Sequence, residues 1–342
     1  MNPVAAFFFA CIVGCGLYIN KYVLSILGFR YPTIFQGWQT LTGLIIYKLL
    51  TFASKSSFKL AGIDRPAFIS LLPGFLFFTT SLIASSKALA GKLKSDKLTS
   101  DINKIKTIVS ESVLMISIIY TLIAGVPIPI FVSVYNTLPA TIYLLDTVLP
   151  NRPPVGPLQL GSAVTTLVTG GGLVLSQIGL DFSDSAYFWL VVGVVCSAAY
   201  CLHTRIADAR YASWDRLYYN SIFSVIVLAP ASFYLEEAFE ALNFHHDRQE
   251  LFLAGCIASA MLGAAANLYS VRLKQDEYFG PVQHLAFGVA AILSPLMFTT
   301  NLPTWQWCLV VINVVAAIPI PSHVSKDEDE ANFPGIIQEF GV

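Results

Sequence analysis

The sequence predicts an all-α polytopic membrane protein with about ten transmembrane helices. Three observations carry that prediction. Only 12% of the 342 residues are charged, about half of the roughly 25% typical of soluble chains, which is too little to cover a water-facing fold. Hydrophobic residues make up 55%, and the mean hydropathy is +0.66. The apolar residues also gather into runs of the ~20 residues that a helix needs to cross a bilayer core of ~30 Å.

The runs follow in order. The first span, 4–27, is one apolar stretch broken by Asn20, Lys21 and small polar residues. It has no basic leader region and no cleavage site, so it reads as a span and not as a signal peptide. Further spans fall at 32–53, 66–89, 126–149, 158–178, 186–204, 216–235, 251–272, 279–299 and 303–321. Lipid satisfies no open backbone, so each must be helical. Pro32, Pro66, Pro127, Pro281 and Pro303 stand near helix starts, where the missing N–H has no helical partner in any case. The whole of 1–321 reads as one transmembrane domain, and ten spans divide into halves of about 1–178 and 186–321. Such halves, related by inversion, are a common transporter architecture.

Lysine and arginine in short loops set orientation. With both termini cytosolic, that side holds Lys48, Lys55, Lys59, Arg65, Arg152, Arg205, Arg210, Arg216, Arg272, Lys274 and Lys326. The other side holds Arg30 and Arg248, with Lys87 near its edge, and receives the acidic, histidine-bearing loop 236–250. The tail, 322–342, is a short charged cytosolic end.

Residues 91–124 do not fit this pattern. They begin polar and basic, and end in an apolar run too short to span. A span here would reverse every later helix and spoil the charge asymmetry. Gly91-Lys92 suits a splice-donor-like sequence, and the run before Gly125 suits a pyrimidine-rich acceptor tract. The segment is therefore read as a translated intron, the alternative being a real lumenal insertion with an interfacial helix.

Several function classes drop out. A net charge of −1 gives no bulk attraction to nucleic acid. Cys11, Cys15, Cys196, Cys201, Cys256 and Cys308 lie in apolar runs without metal spacing and read as packing residues. No HExxH, GxSxG, Walker loop or carboxylate cluster for a metal occurs. No catalytic residue, metal or cofactor is expected, and a pump driven by ATP on this chain is disfavoured.

Polar residues inside the membrane are costly and become site candidates by default. Lys21 lies some six residues from the end of the first span, beside Asn20, and either snorkels to the interface or faces a cavity. Gln36 and Gln39 share a face of the second span, suited to interhelical hydrogen bonds or to a polar substrate. Asn136 lies deep in the fourth span. Tyr218, Tyr219, Asn220 and Ser221 combine rings for stacking with an amide able to read a base edge, although tyrosines also populate interfacial belts. Gln283 and His284 open the ninth span, where helix N–H groups favour anions; a histidine there can equally be a packing residue.

These residues also carry a resemblance. Asn20-Lys-Tyr-Val-Leu-Ser25 and Tyr31-Pro-Thr-Ile-Phe-Gln-Gly-Trp-Gln-Thr-Leu-Thr42 resemble the nucleotide-sugar transporters of the drug/metabolite transporter superfamily. Pro127-Ile-Pro-Ile-Phe-Val-Ser-Val-Tyr-Asn136 is similar to the P-V-P-I-Y-T-I-F-K-N of GDP-mannose transporters and joins cleanly to Ser86-Lys-Ala-Leu-Ala90 once 91–124 is removed. Trp214–Ser221 resembles the F-Y-N-N region that reads the base, and Gly280–Gly288 occupies the place of the G-A-L-N-K motif that binds sugar and phosphate. The chain departs at Ser221 for the second asparagine, Tyr135 for the fourth-span lysine and Gly288 for the motif lysine. These departures fit a uridine nucleotide better than a guanine one, as does the vertebrate Golgi branch linked to UDP-N-acetylglucosamine transport, which the chain most resembles.

The resemblance implies a 5+5 inverted-repeat bundle in the Golgi membrane. It implies import of a nucleotide sugar, best guess UDP-N-acetylglucosamine, in exchange for a nucleoside monophosphate such as UMP. Tyr219, Asn220 and Ser221 are then expected to read the base. Lys21, Lys87 and His284 are expected to meet phosphate, with Gln283 beside them, and Gln39 and Asn136 to contact ribose or sugar. GDP-mannose or another nucleotide sugar is the alternative within the class. From another class comes a non-transporting membrane partner of Golgi glycosyltransferases. Membrane lipid is an expected partner, nucleic acid is not, and a homodimer is left open.

Overall fold

The computed structural model describes residues 3–29, 31–53, 62, 64–90, 125–148, 156–177, 186–206, 213–244, 249–273, 278–298 and 300–320. Segment 91–124, the tail 322–342 and several loop cations of the charge pattern lie outside these.

Among the described residues the regular structure is helical throughout. The helices are α1 (Pro3–Lys21), continued by a π-helical turn (Tyr22–Ile26), α2 (Pro32–Ala53), α3 (Arg65–Ala90), α4 (Ile128–Tyr135), α5 (Thr137–Val148) and α6 (Pro157–Leu175). Then come α7 (Ala186–Ile206), α8 (Ser213–Tyr234), the short α9 (Glu237–Leu242), α10 (Gln249–Leu273), α11 (Phe279–Leu293) and α12 (Thr304–Ala317). Eight of these stretches are long and apolar enough to cross a membrane, with α4 and α5 counted together. α2 has the length, at 22 residues, but is diluted by Thr33, Gln36, Gln39 and Thr40. α12 is apolar but has 14 residues.

Large apolar side chains face outward around the bundle. Phe7, Leu49, Ile69, Val168, Ile226, Met261, Ile292 and Val315 are all exposed. In water such a surface would be untenable; in lipid it is the expected perimeter. Inside, Val23, Leu24, Val126, Ile130, Leu173, Leu190 and Val310 form part of a continuous apolar core. Two close approaches depend on absent side chains. A Cβ on Gly170 would strike Thr137, and one on Gly288 would strike Val314. Small residues at such crossings let helix backbones meet, a hallmark of membrane packing. Gly28, at φ +70°, turns the chain between α1 and α2 through a region that side chains disfavour.

One expected span is interrupted. The fourth reads as continuous from 126 to 149, yet it divides at Asn136 into α4 and α5. Pro139, in the first turn of α5, explains the break: it has no N–H to donate and its ring crowds the carbonyl of Tyr135, four residues earlier.

Helix pairing comes in matched sets. α3 packs on α7, and α10 on α1; α10 packs on α2, and α3 on α8; α1 packs on α11, and α7 on α4 and α5. α2 with α8, α6 with α12, and α4 with α11 pair across the chain's midpoint. Exchanging each helix of the first half with its counterpart in the second reproduces the same pairings. One face of the bundle carries Lys48, Arg65, Arg216 and Arg272 and is called the basic face. The opposite, acidic face carries Glu236, Glu237, Glu240 and Glu250.

Candidate functional site

The break at Asn136 sets its amide among three other helices. The side chain is buried, and its Nδ2 donates to Asn313 Oδ1 of α12 at 3.2 Å. Asn313 Nδ2 donates in turn to Thr166 O at 3.0 Å and Thr169 Oγ1 at 2.9 Å, both on α6. On the other side, His284 Nδ1 of α11 lies 3.3 Å from Asn136 Oδ1. The proton can be assigned from this chain of contacts. A backbone carbonyl only accepts, so Asn313 must turn its NH₂ to Thr166 and its oxygen to Asn136. Asn136 then turns its NH₂ to Asn313 and its oxygen to His284. Nδ1 of His284 therefore carries a proton and donates it to Asn136.

A second network joins α1, α2 and α10. Gln39 Nε2 donates to Asn20 Oδ1 at 3.0 Å and to Ser259 Oγ, and Ser259 Oγ donates to Asn20 Oδ1 at 2.5 Å. Gln36, on the same face by spacing, instead reaches Ser86 of α3 through Nε2. Neighbours three residues apart thus address different helices.

The three expected base readers diverge. Successive helical residues point about 100° apart, and the contacts follow. Tyr219 packs with Ala67, Leu71 and Phe75 of α3. Asn220 donates through Nδ2 to Tyr200 OH of α7 at 2.6 Å. Ser221 bonds back to Leu217 O at 2.9 Å.

Lys21 is 3% exposed, which removes the snorkelling reading. Its Nζ donates to Leu89 O at 3.3 Å and Val126 O at 3.1 Å. Both carbonyls flank the 91–124 segment, and Leu89 lies in the last turn of α3, whose orphan carbonyls and dipole favour a cation. Lys87 sits 4.3 Å from the centre of the Trp189 ring, a cation–π contact. Gln283 is half-buried in the second turn of α11. Tyr135 bonds through its hydroxyl with Ser85 and stacks on Phe131. Gly288 faces Val314 across a tight helix crossing, so its register on α11 points into packing.

The structure thus unites Asn136 with His284 and sets Gln39, Asn220 and Lys21 in separate contacts. Sequence reading missed Asn313 and Thr169. The signal for Asn313 was present, as a lone amide in the apolar run Val310–Ala317. Among the described residues no group of three or more His, Cys, Asp or Glu is arranged to hold a metal.

Comparison with known proteins agrees with this architecture. Residues 184–320 match the EamA-like transporter family. The chain is 28% identical over 296 residues to the UDP-N-acetylglucosamine transporter TMEM241 homolog of Xenopus laevis, covering 85% of this chain and 84% of that protein. It is 27% identical over 262 residues to the UDP-N-acetylglucosamine transporter TMEM241 of Mus musculus, covering 75% and 73%. It is 26% identical over 200 residues to the GDP-mannose transporter of Komagataella pastoris, covering 52% and 61%. The resemblance to nucleotide-sugar transporters seen in the sequence is borne out, and the chain is a multi-pass membrane protein.

Proposed function

We propose that this protein is a nucleotide-sugar transporter of the Golgi membrane, importing UDP-N-acetylglucosamine in exchange for UMP. The observation that carries the reading is similarity over 85% of the chain to a relative named for that substrate. Matched helix pairing across the two halves supports an inverted repeat, which suits alternating access by rocking one half against the other. The cations of the basic face support cytosolic placement of that face and of both termini.

In this reading Asn136 and Gln39 offer hydrogen bonds to ribose or sugar, and Asn220, the expected base reader whose amide reaches a neighbouring helix, meets the base. Ser221 and Gln283 lie on the same helices as Asn220 and His284. The diphosphate is met by helix N–H groups together with Lys21, Lys87 and His284. Because Asn136, His284, Gln39 and Lys21 already have protein partners, substrate entry exchanges bonds at these groups.

GDP-mannose is the second reading, favoured by the similarity to the Komagataella pastoris transporter. Uptake into sealed proteoliposomes separates the two. Vesicles preloaded with UMP or GMP are challenged with labelled UDP-N-acetylglucosamine and GDP-mannose. UMP-stimulated uptake of the uridine sugar, lost in Asn220→Ala, is the expected result. Absence of uptake of both sugars by folded protein overturns the proposal and points to a non-transporting partner role.

A further inference from the structure

Toward the basic face, α7 and α8 hold a polar pair with unspent bonding groups. Asn220 stands in the second turn of α8, and Tyr200 lies six residues before the end of α7. Arg216, one turn before Asn220 on the same side of α8, ties the two helices at the face itself by donating through Nη1 to Thr204 O at 2.7 Å.

Asn220 Nδ2 donates to Tyr200 OH at 2.6 Å. The tyrosine accepts that bond, and its own proton has no recipient among the described residues. Its ring packs on Phe78 of α3, with centroids 5.4 Å apart. Asn220 is 2% exposed. Its Oδ1 has no partner among the described residues, yet it is not one of the orphans sealed from water, as Ser25 Oγ and Gln306 Oε1 are. The little surface that Asn220 keeps therefore includes this oxygen. Buried amides are nearly always bonded on both sides, so an acceptor left open to one space points to a visitor.

The tyrosine bond sets an order of acceptor and donor. It takes an amide N–H and so turns Oδ1 away as an acceptor. The hydroxyl, already accepting, is left with a proton to donate. Together they match a ligand edge with an N–H next to a carbonyl. Uracil carries that order at its ring N–H and flanking carbonyls, and guanine at its ring N–H and carbonyl. Cytosine and adenine carry the reverse, a bare ring nitrogen beside an amino group. They set acceptor against acceptor, which forfeits a bond and leaves a buried polar atom unsatisfied.

We propose that Tyr200 is a specificity-determining residue for the base. It holds the Asn220 amide with Oδ1 outward and adds a hydroxyl donor, so that the pair admits uracil or guanine and turns away cytosine and adenine. The proposal rests on the transport reading, in which Asn220 meets the base, and adds the residue that decides which edge Asn220 reads. Without the hydroxyl the amide is free to rotate and to present its NH₂ to a bare ring nitrogen.

Equilibrium binding of labelled UMP, GMP, CMP and AMP to the full chain in lipid nanodiscs tests it, beside sugar uptake in proteoliposomes. The parent is expected to bind UMP or GMP at least about tenfold tighter than CMP and AMP, the scale of one mismatched hydrogen bond. Tyr200→Phe keeps the ring on Phe78 and is expected to narrow that ratio to within about threefold, with CMP gaining as UMP loses. Lost packing weakens all four nucleotides together, so the ratio reports reading of the base while the melting temperature reports folding. The proposal is overturned if the parent binds CMP as tightly as UMP and GMP, a result that needs no variant to fold. It is equally overturned if Tyr200→Phe lowers affinity without moving the ratio. Either result with uptake intact leaves the transport reading standing, whereas failure of all four nucleotides to bind the folded parent overturns both.

Discussion

The amide pair Asn136–Asn313 offers a quantitative test of the interior. Asn313 is fully buried and makes three bonds, two donated to α6 and one accepted from Asn136. Interhelical hydrogen bonds in membrane bundles average about 0.6 kcal/mol each, so three are worth about 2 kcal/mol. Asn313→Leu keeps the volume close and removes all three. The partners do not suffer equally. Thr166 O still accepts from its own helix, and Thr169 Oγ1 still donates to Thr165 O at 2.7 Å. Only Asn136 Nδ2 is left as an orphaned donor, a cost of about 1–3 kcal/mol. Both routes give a loss of about 2 kcal/mol. Equilibrium unfolding in mixed micelles, followed by tryptophan fluorescence, measures it. In a cycle with Asn136→Ala, the double variant should recover about 1 kcal/mol relative to the sum of the single losses. Single effects that simply add, within about 0.3 kcal/mol, would show that the two amides do not meet.

Three further outcomes follow from other parts of the fold. Burial pushes the Glu237 carboxyl above its ordinary range, against Thr33 hydrogen bonds and the charge of Lys87 that pull it down. A raised carboxyl contributes stability that is full below its unfolded pKa and lost as pH rises through the folded value, so Glu237→Gln should gain melting temperature over the parent between pH 4 and pH 7; a pH-independent difference refutes this. Gly288→Ala should cost about 1–3 kcal/mol by driving a methyl into Val314. Adding Val314→Ala should return most of that loss in thermal melts, and no rescue would show the clash lies elsewhere. Deleting 91–124 should raise the melting temperature, because its flanks are already held together by the Val126 N–H donating to Ala88 O at 2.9 Å and by Lys21. A lower melting temperature counts against it, and a dominant transcript containing the segment sinks the intron reading.

What could be read from the sequence depended on what kind of physics set each feature. Span limits follow from local composition, so 32–53 matches α2 (Pro32–Ala53) and 66–89 lies within one residue of α3 (Arg65–Ala90). The break at Asn136 was equally local, encoded by Pro139, but hydropathy alone does not register it. Pairing is another matter. Asn136 stands out as a polar residue at depth, while its partner Asn313 lies 177 positions away, and no spacing rule connects them. Likewise Tyr219, Asn220 and Ser221 form one sequence cluster but point to three environments, because helical rotation separates neighbours that the eye joins.

The polar contacts also limit how the bundle can move. Thr33 N–H donates to Glu237 at 2.9 Å, Thr79 Oγ1 meets Ser224 Oγ at 2.9 Å, Gln39 meets Ser259, and Asn136 meets His284. Each of these bonds joins a helix of the first half to an element of the second. Under the transport reading, rocking one half against the other must break several of them. Their small individual worth, about 0.6 kcal/mol, makes that feasible, whereas buried ion pairs at the same crossings would lock the halves together. A substrate hydroxyl that takes up the freed Asn136 or His284 group replaces a bond of similar size, so binding and release can proceed without a deep trap. By the same logic Lys21 should not travel between the halves. Its two carbonyl partners and its own helix all belong to the first half, and it holds the junction of α3 and α4 fixed while the second half moves past it.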